Sequence, residues 1–519
     1  MTTPASSTRP RRSLVLAGGG MRVAYQAGVV RALAEAGIDF DHADGASGGT
    51  MNLAMLLSGI TPTDMCARWS SLDPKSFVSL PPVRDLVKFL DAPAWGDADG
   101  IRETVFPHLG IDIDAIRAHR GLHGTFNVCN FSRKTVEVIP HTELDLDLLI
   151  AGISLPILMP AVHTRGAWYT DAVWIKDANV DEAVRQGADE VWVIWCIGNT
   201  PEYHHGAFPQ YVHMIEMAAN GSLFEQFKRV DAINARIARG EAVDGRTTPI
   251  VLHVIKPERP IPLDPDYYLG RVSGTTLVEM GYADASRYLR ERAPAGIPWT
   301  PEATQMQEPR PGLTFSETMS GDFALGATDP KTAETSTAAQ RGPLAIHVTV
   351  QIDDMEQFVA SRTHPGRLTG HVSSPLFGGD VPATHGVFNL FSPSTDPALK
   401  LMVYELGFTY NGKPYYLAGR KEVRDDPGFD LWADTTTLFT TLHEGSDASG
   451  PAVGAGVLRL GVTDLLQLVR SMHPTNAGSL TDGARVIEQF GLFFLGSLWA
   501  SYGPKGAHTN QVGSATVQG

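Results

Sequence analysis

Cysteine is scarce: Cys66, Cys129 and Cys196 are the only three in 519 residues. Odd in number and far apart, they fit neither a disulfide framework nor metal-ligand spacing. Inert core thiols are expected. Positive charge is also in short supply, with 42 Lys and Arg against 57 Asp and Glu and a net charge of −15. Such a chain repels phosphodiester backbones unless a basic patch is set apart, and the only dense one is Arg9, Arg11 and Arg12, so nucleic acid is not an expected partner. Long apolar runs are missing too. The longest, Leu148 to Val162, is broken by Ser154, Pro156 and Pro160 and falls short of the roughly 18 residues a membrane span needs. The apolar stretch Leu14 to Ala17 behind the Ser/Thr/Pro-rich leader is too short for a signal peptide. A cytoplasmic location is the expectation, and an acidic chain without a basic amphipathic helix has no electrostatic reason to seek anionic bilayers.

What is present points to two domains, because 519 residues exceed what one hydrophobic core usually organises. Behind a leader of residues 1–12, expected to be disordered, short apolar runs alternate with helical patterns from 13 to about 300. That is the rhythm of strand and crossover helix that builds a parallel sheet. Leu14 to Ala17 reads as a buried strand, and Met21 to Ala36 as a helix stopped by Gly37. Phe126 to Ile139 reads as a strand pair, Glu190 to Ile197 and Pro249 to Ile255 as strands, and Val212 to Arg239 and Asp284 to Arg292 as helices.

Residues 301–342, rich in Thr, Pro, Gly, Ala and Ser, read as a linker or an ordered lead-in. From 343 to 505 the period switches to two. Ile346, Val348, Val350 and Ile352 share one face, while His347, Thr349 and Gln351 form a wet one. Asn411-Gly412 marks a type I′ hairpin between two strands. Thr435 to Leu442 and Val457 to Val462 add strands, and Ala484 to Tyr502 a helix packed on the sheet. A β-rich barrel or sandwich closed by that helix is expected, with residues 506–519 as a disordered tail.

The chemistry concentrates near the N-terminus. Gly45-Ala46-Ser47-Gly48-Gly49 matches G-x-S-x-G, in which small neighbours let a serine sit on a tight strand-to-helix turn. The pentamer alone is a weak signal, but Met51 to Leu57 behind it is apolar and helix-forming, which places Ser47 at a helix N-terminus where amides favour an oxyanion. Gly18-Gly19-Gly20-Met21-Arg22 closes the first strand with consecutive amides free for negative charge. Neither the dinucleotide fingerprint nor a P-loop is completed there, since Val23 stands where the last glycine would.

A glycine triplet with Arg two residues on, then G-x-S-x-G about 25 residues later, then Ala151 to Pro160 leading to Tyr169-Thr170-Asp171, resembles the patatin-like phospholipases over roughly Ser13 to Arg292. The resemblance implies a three-layer α/β/α domain with a mainly parallel sheet. It implies Ser47 as nucleophile, Asp171 as the only base, an oxyanion hole of amides from Gly18, Gly19, Gly20, Met21 and Arg22, and an elbow of Gly45, Gly48 and Gly49. No cofactor or metal is implied, and the partner is a lipid or ester substrate, with peripheral contact to a lipid aggregate. A carboxylate is a poor base for a serine hydroxyl unless it is desolvated or held in contact, so a buried, close Ser47–Asp171 pair is expected.

The chain departs from the family at Ala172 and Val173, where Asp-Gly-Gly or Asp-Gly-Ala is usual, and at Asn179, where proline is common. Should the turn need positive φ at position 172, Ala172 would cost about 1 kcal/mol or more. Two readings therefore stay open beside the hydrolase: a lipid-binding protein whose site has decayed, and an acyltransferase using the same serine. The C-terminal third, with Gly386 to Phe391, Asp425 to Gly428 and Thr435 to Thr437, is similar to an accessory region of long cholesterol-oxidase-like flavoenzymes, yet it lacks a flavin fingerprint. His204-His205 reads as solvated surface and Asp425, Asp426, Asp430 and Asp434 as an acidic turn, so no metal is assigned. Oligomeric state leaves no trace in the sequence.

Overall fold

The computed structural model describes residues 9–77, 98–199, 201, 203, 205–261, 272–333, 340–396, 399–424, 435–477 and 480–502. The expected leader up to residue 8, the tail beyond 502, His204 and the acidic turn 425–434 lie outside the described residues.

The first sheet is built on β1 (Arg12–Leu16), whose two faces are both apolar. Leu14 and Leu16 pack into one core and Val15 into a second, opposite one. The first core holds the helices Ala24–Glu35, Gly49–Leu57 and Gly274–Glu291, and the second holds Ala207–Ala238 and Val180–Arg185. Burial on both faces is the condition for an α/β/α sandwich. With β2 (His42–Gly45), β3 (His123–Asn130), β4 (Thr135–Pro140), β5 (Val162–Thr164), β6 (Ala167–Asp171), β7 (Glu190–Ile194) and β8 (Val251–Ile255), the order is β5-β6-β3-β2-β1-β7-β8, with β4 beside β3. The run β3-β2-β1-β7-β8 is parallel, while β4, β5 and β6 are antiparallel. The helix expected from Asp284 begins ten residues earlier, capped by Ser273, because its buried face includes glycines that periodicity does not count as apolar.

The second sheet closes on itself. Strands β9 (Gly312–Leu325), β10 (Gln340–Ile352), β11 (Pro365–Ser374), β12 (Gly379–Pro393), β13 (Leu399–Tyr410), β14 (Lys413–Arg424), β15 (Thr437–Glu444) and β16 (Ala452–Arg459) pair antiparallel in sequence, and β9 also pairs with β16. Eight strands thus form a barrel, extended at one place by β17 (His473–Thr475) on β9. Asn411 and Gly412 both have positive φ at the β13–β14 turn, the type I′ geometry their types favour. Strand β9 falls within the stretch whose periodicity was too weak to show a strand, since Glu317 points inward and breaks the apolar alternation. The helix Leu480–Tyr502 covers the barrel with Val486 and Phe490, and Phe490 lies 5.9 Å from Phe315.

The face of β10 expected to be wet is a correction. Gln351 reaches Met280, and on neighbouring β11 His371 bonds Glu279 at 2.7 Å, so helix Gly274–Glu291 lies over it. Glu279 and Met280 of that helix thus meet barrel side chains, while Tyr25 of the first domain donates to its Asp284 at 3.0 Å, so the helix joins the two units through side-chain bonds.

Candidate active site

Each strand end at the site delivers one element. After β1 the chain turns through Gly18, Gly19 and Gly20, and the latter two have φ of 156° and 58°, values that only glycine adopts without strain. Arg22 then closes the loop by donating both its amide, at 3.2 Å, and its Nε, at 3.0 Å, to the Gly19 carbonyl. After β2 the chain makes the sharp turn at Ser47, whose φ is 48°. A non-glycine residue there costs about 1–3 kcal/mol. The turn is held by Ala46 N to Leu16 O at 3.1 Å, Gly49 N to Ala46 O at 2.8 Å and Thr50 Oγ1 to Ser47 O at 2.6 Å. Loop and elbow touch directly: a Cβ on Gly48 would stand 2.5 Å from the Gly20 carbonyl.

Sheet register explains how residue 171 reaches residue 47. Residues 125 and 126 of β3 pair with β2 on one edge and β4 on the other, and residues 128–130 pair with β4 and with β6. Strand β6 therefore continues on the edge that β2 leaves. Gly45 stands opposite Phe126 and Asp171 opposite Val128, so Asp171 fills the place that Ser47 would take had β2 gone straight on. Turning out there, Ser47 donates its hydroxyl to Asp171 Oδ2 at 2.6 Å. The other carboxylate oxygen accepts from Val173 N at 2.9 Å, and Asp171 N is fixed on Ser154 O at 3.0 Å. Both side chains are buried. Burial raises the Asp171 carboxyl to about 7, against the opposing pull of the Ser47 hydroxyl and the Val173 amide.

Three expectations change. Ala172 is not among the residues of positive φ, so the turn asks nothing of it that alanine cannot give, and the argument for decay at that position falls away. Gly18 does not face the site with its amide, which is spent on Asp177, at 3.0 Å to Oδ2 and 3.3 Å to the carbonyl. Arg22 N is likewise spent within the loop. Among the described residues, the amides of Gly19 and Gly20 donate to no protein acceptor, nor does that of Gly48 behind the serine. Met21 is buried beside them.

Sequence reasoning missed two buried carboxyls. Asp177 is fully buried, its Oδ1 has no partner, and a Cβ on Gly18 would stand 2.1 Å from that atom and 2.7 Å from Ser47 Cβ. Burial, and then the charge of Asp171, push Asp177 well above the usual carboxylate range, while the Gly18 amide and Arg22 pull the other way. Asp44, also fully buried, accepts from Thr125 Oγ1 and Asn127 Nδ2, both at 2.6 Å, and Asn127 Nδ2 also reaches Gly45 O at 3.0 Å. Asn179 joins this network by donating to Asn127 Oδ1 at 2.7 Å, and it caps helix Val180–Arg185. The only signal in the sequence was an acidic residue directly before an elbow glycine, or within a turn between apolar segments.

Residues 14–184, which carry all of these elements, match the family model described as patatin-like phospholipase. They form a patatin-like phospholipase domain. Lysophospholipase nte1 of Aspergillus niger is 26% identical over 304 residues, covering 56% of this chain and 19% of that protein. The chain thus spans about a fifth of that relative's length. Among solved structures, VipD from Legionella pneumophila matches 55% of this chain and 67% of its own at 12% identity and a TM-score of 0.30. A chain of the SpcU–ExoU complex of Pseudomonas aeruginosa matches 45% and 60% at 17% identity and a TM-score of 0.21. No described helix of the patatin-like domain, or of the barrel, is long and apolar enough to cross a membrane, and no described group of three or more His, Cys, Asp or Glu could hold a metal ion.

Proposed function

We propose that the chain hydrolyses acyl esters of lipids through a Ser47–Asp171 dyad. The observation that carries this is the buried 2.6 Å hydrogen bond from the serine hydroxyl to a carboxylate raised to about 7. A base whose ionisation lies near neutrality can both take and return a proton at working pH. Ser47 Oγ attacks the ester carbonyl as its proton passes to Asp171 Oδ2. The amides of Gly19, Gly20 and Gly48 receive the oxyanion. Collapse expels the alcohol, which takes the proton from Asp171, and water then releases the acid by the same steps. The lipid class is supported by the family description and by the relative named a lysophospholipase.

A fluorophosphonate probe tests the reading. Labelling of the wild type, but not of Ser47→Ala, together with loss of phospholipid and short-chain ester hydrolysis in Ser47→Ala, is expected. Labelling that persists in Ser47→Ala would overturn it.

A further inference from the structure

The segment that anchors Asp171 goes on to form an exposed tip. Leu155 O accepts from Leu158 N at 3.1 Å around Pro156 and Ile157, and Ile157 has φ of 77°. Proline at the second position and positive φ at the third define a type II turn, whose third position calls for glycine. A β-branched residue there is strained, and nothing in the fold repays the strain by burial, because Ile157 is 51% exposed. The two ends of the turn are fixed, with Leu155 packed on one core and Met159 on the opposite one. Tyr211 of helix Ala207–Ala238 donates its hydroxyl to Pro156 O at 2.5 Å and packs against Trp174. Met214 and Met217 lie three and six residues further along the same helix, 52% and 67% exposed, with Met214 on the face next to Tyr211.

We infer that Ile157, Met214 and Met217 form a lip that inserts into a neutral lipid surface beside the dyad. This rests on the reading of the chain as a lipid-ester hydrolase. Continuity with the site favours it, since Ser154, one residue before the turn, holds the Asp171 amide. Charge selects the kind of surface. The run Leu155 to Pro160 carries no charge, the nearby Lys176 is paired with Asp181, and His213 faces Glu216. A chain of net charge −15 has nothing there to attract anionic headgroups, whereas exposed thioethers and an isobutyl-sized side chain gain by leaving water.

The full-length protein is tested as wild type, Ile157→Gly, Ile157→Asn and Met214→Ser/Met217→Ser. Glycine and asparagine both accept positive φ, so their melting temperatures are expected at or above that of wild type. Turnover of soluble p-nitrophenyl butyrate is expected to stay unchanged, while hydrolysis of, and co-sedimentation with, phosphatidylcholine vesicles fall about tenfold in each variant. Unchanged vesicle binding would overturn the inference, as would binding by the wild type to phosphatidylglycerol vesicles alone. A wild-type dimer that Ile157→Asn dissociates would assign the lip to a second copy instead. Vesicle binding measured on Ser47→Ala keeps the two readings apart, because the lip then stands or falls without any turnover.

Discussion

Gly18 and Asp177 meet twice, the Gly18 amide donating to the Asp177 carboxyl at 3.0 Å and to its backbone carbonyl at 3.3 Å. This double contact fixes the start of the glycine loop, and so the aim of the Gly19 and Gly20 amides. It also sets a second buried carboxyl near Asp171. Both cannot ionise cheaply in one dry site, and burial followed by the charge of Asp171 raises Asp177 well above the usual carboxylate range. Arg22 and the Cys196 thiol are the other titratable groups facing it.

Asp177→Asn keeps an acceptor for the Gly18 amide but cannot ionise. Because the substitution removes the second carboxyl and leaves Asp171 in place, the variant is expected to keep the acid limb of kcat/KM and to lose less activity than the wild type toward alkaline pH, where a raised carboxyl ionises. Identical alkaline limbs would remove Asp177 from the reaction.

The acid limb itself belongs to Asp171. Its carboxyl must be ionised to accept the serine proton, so kcat/KM is expected to rise through about pH 7. Stability runs the opposite way. A carboxyl raised on folding contributes stability that is complete below its unfolded value of 3.8 and is lost as pH climbs to about 7. Asp171→Asn is therefore expected to be inactive, yet more resistant to urea than wild type at pH 8, with the advantage vanishing near pH 4.

In the barrel, Lys421 Nζ bonds Glu317 Oε1 at 2.6 Å and Tyr404 donates to Glu317 Oε2 at 2.8 Å, all three being buried. Lys421→Met leaves a carboxylate without its cation, at an expected cost of about 3–5 kcal/mol in chemical unfolding. Lys421→Met/Glu317→Leu should recover most of that loss. Equal destabilisation of the single and double variants would show that the pair is not the cause.

Asn179→Pro would bring this position closer to the patatin-like pattern and is expected to weaken the domain. Proline cannot cap helix Val180–Arg185 through a side-chain oxygen, nor donate to Asn127, so about 1 kcal/mol or more is lost. Thermal unfolding that is unchanged would make the cap dispensable.

Much of this protein was legible in order along the chain. Ser47 stood out because an elbow needs small residues on both sides within five positions, and Asn411-Gly412 because a two-residue hairpin needs two positive φ values. These are local requirements, written where they act. The barrel strand Gly312–Leu325 escaped notice because its inward Glu317 has a partner 104 residues away, and no window of sequence contains both.

The sequence by itself determined the elbow, the glycine loop and the alternation that makes one domain α/β and the other β-rich, since each follows from backbone sterics or from the period of apolar residues. Only the tertiary structure decided that Asp171 takes the sheet edge vacated at Gly45, that Asp177 consumes the Gly18 amide, and that Ile157 is strained yet exposed. Those outcomes depend on which distant strand ends share one edge and on what water can no longer reach, and burial of that kind comes from the whole chain packing at once.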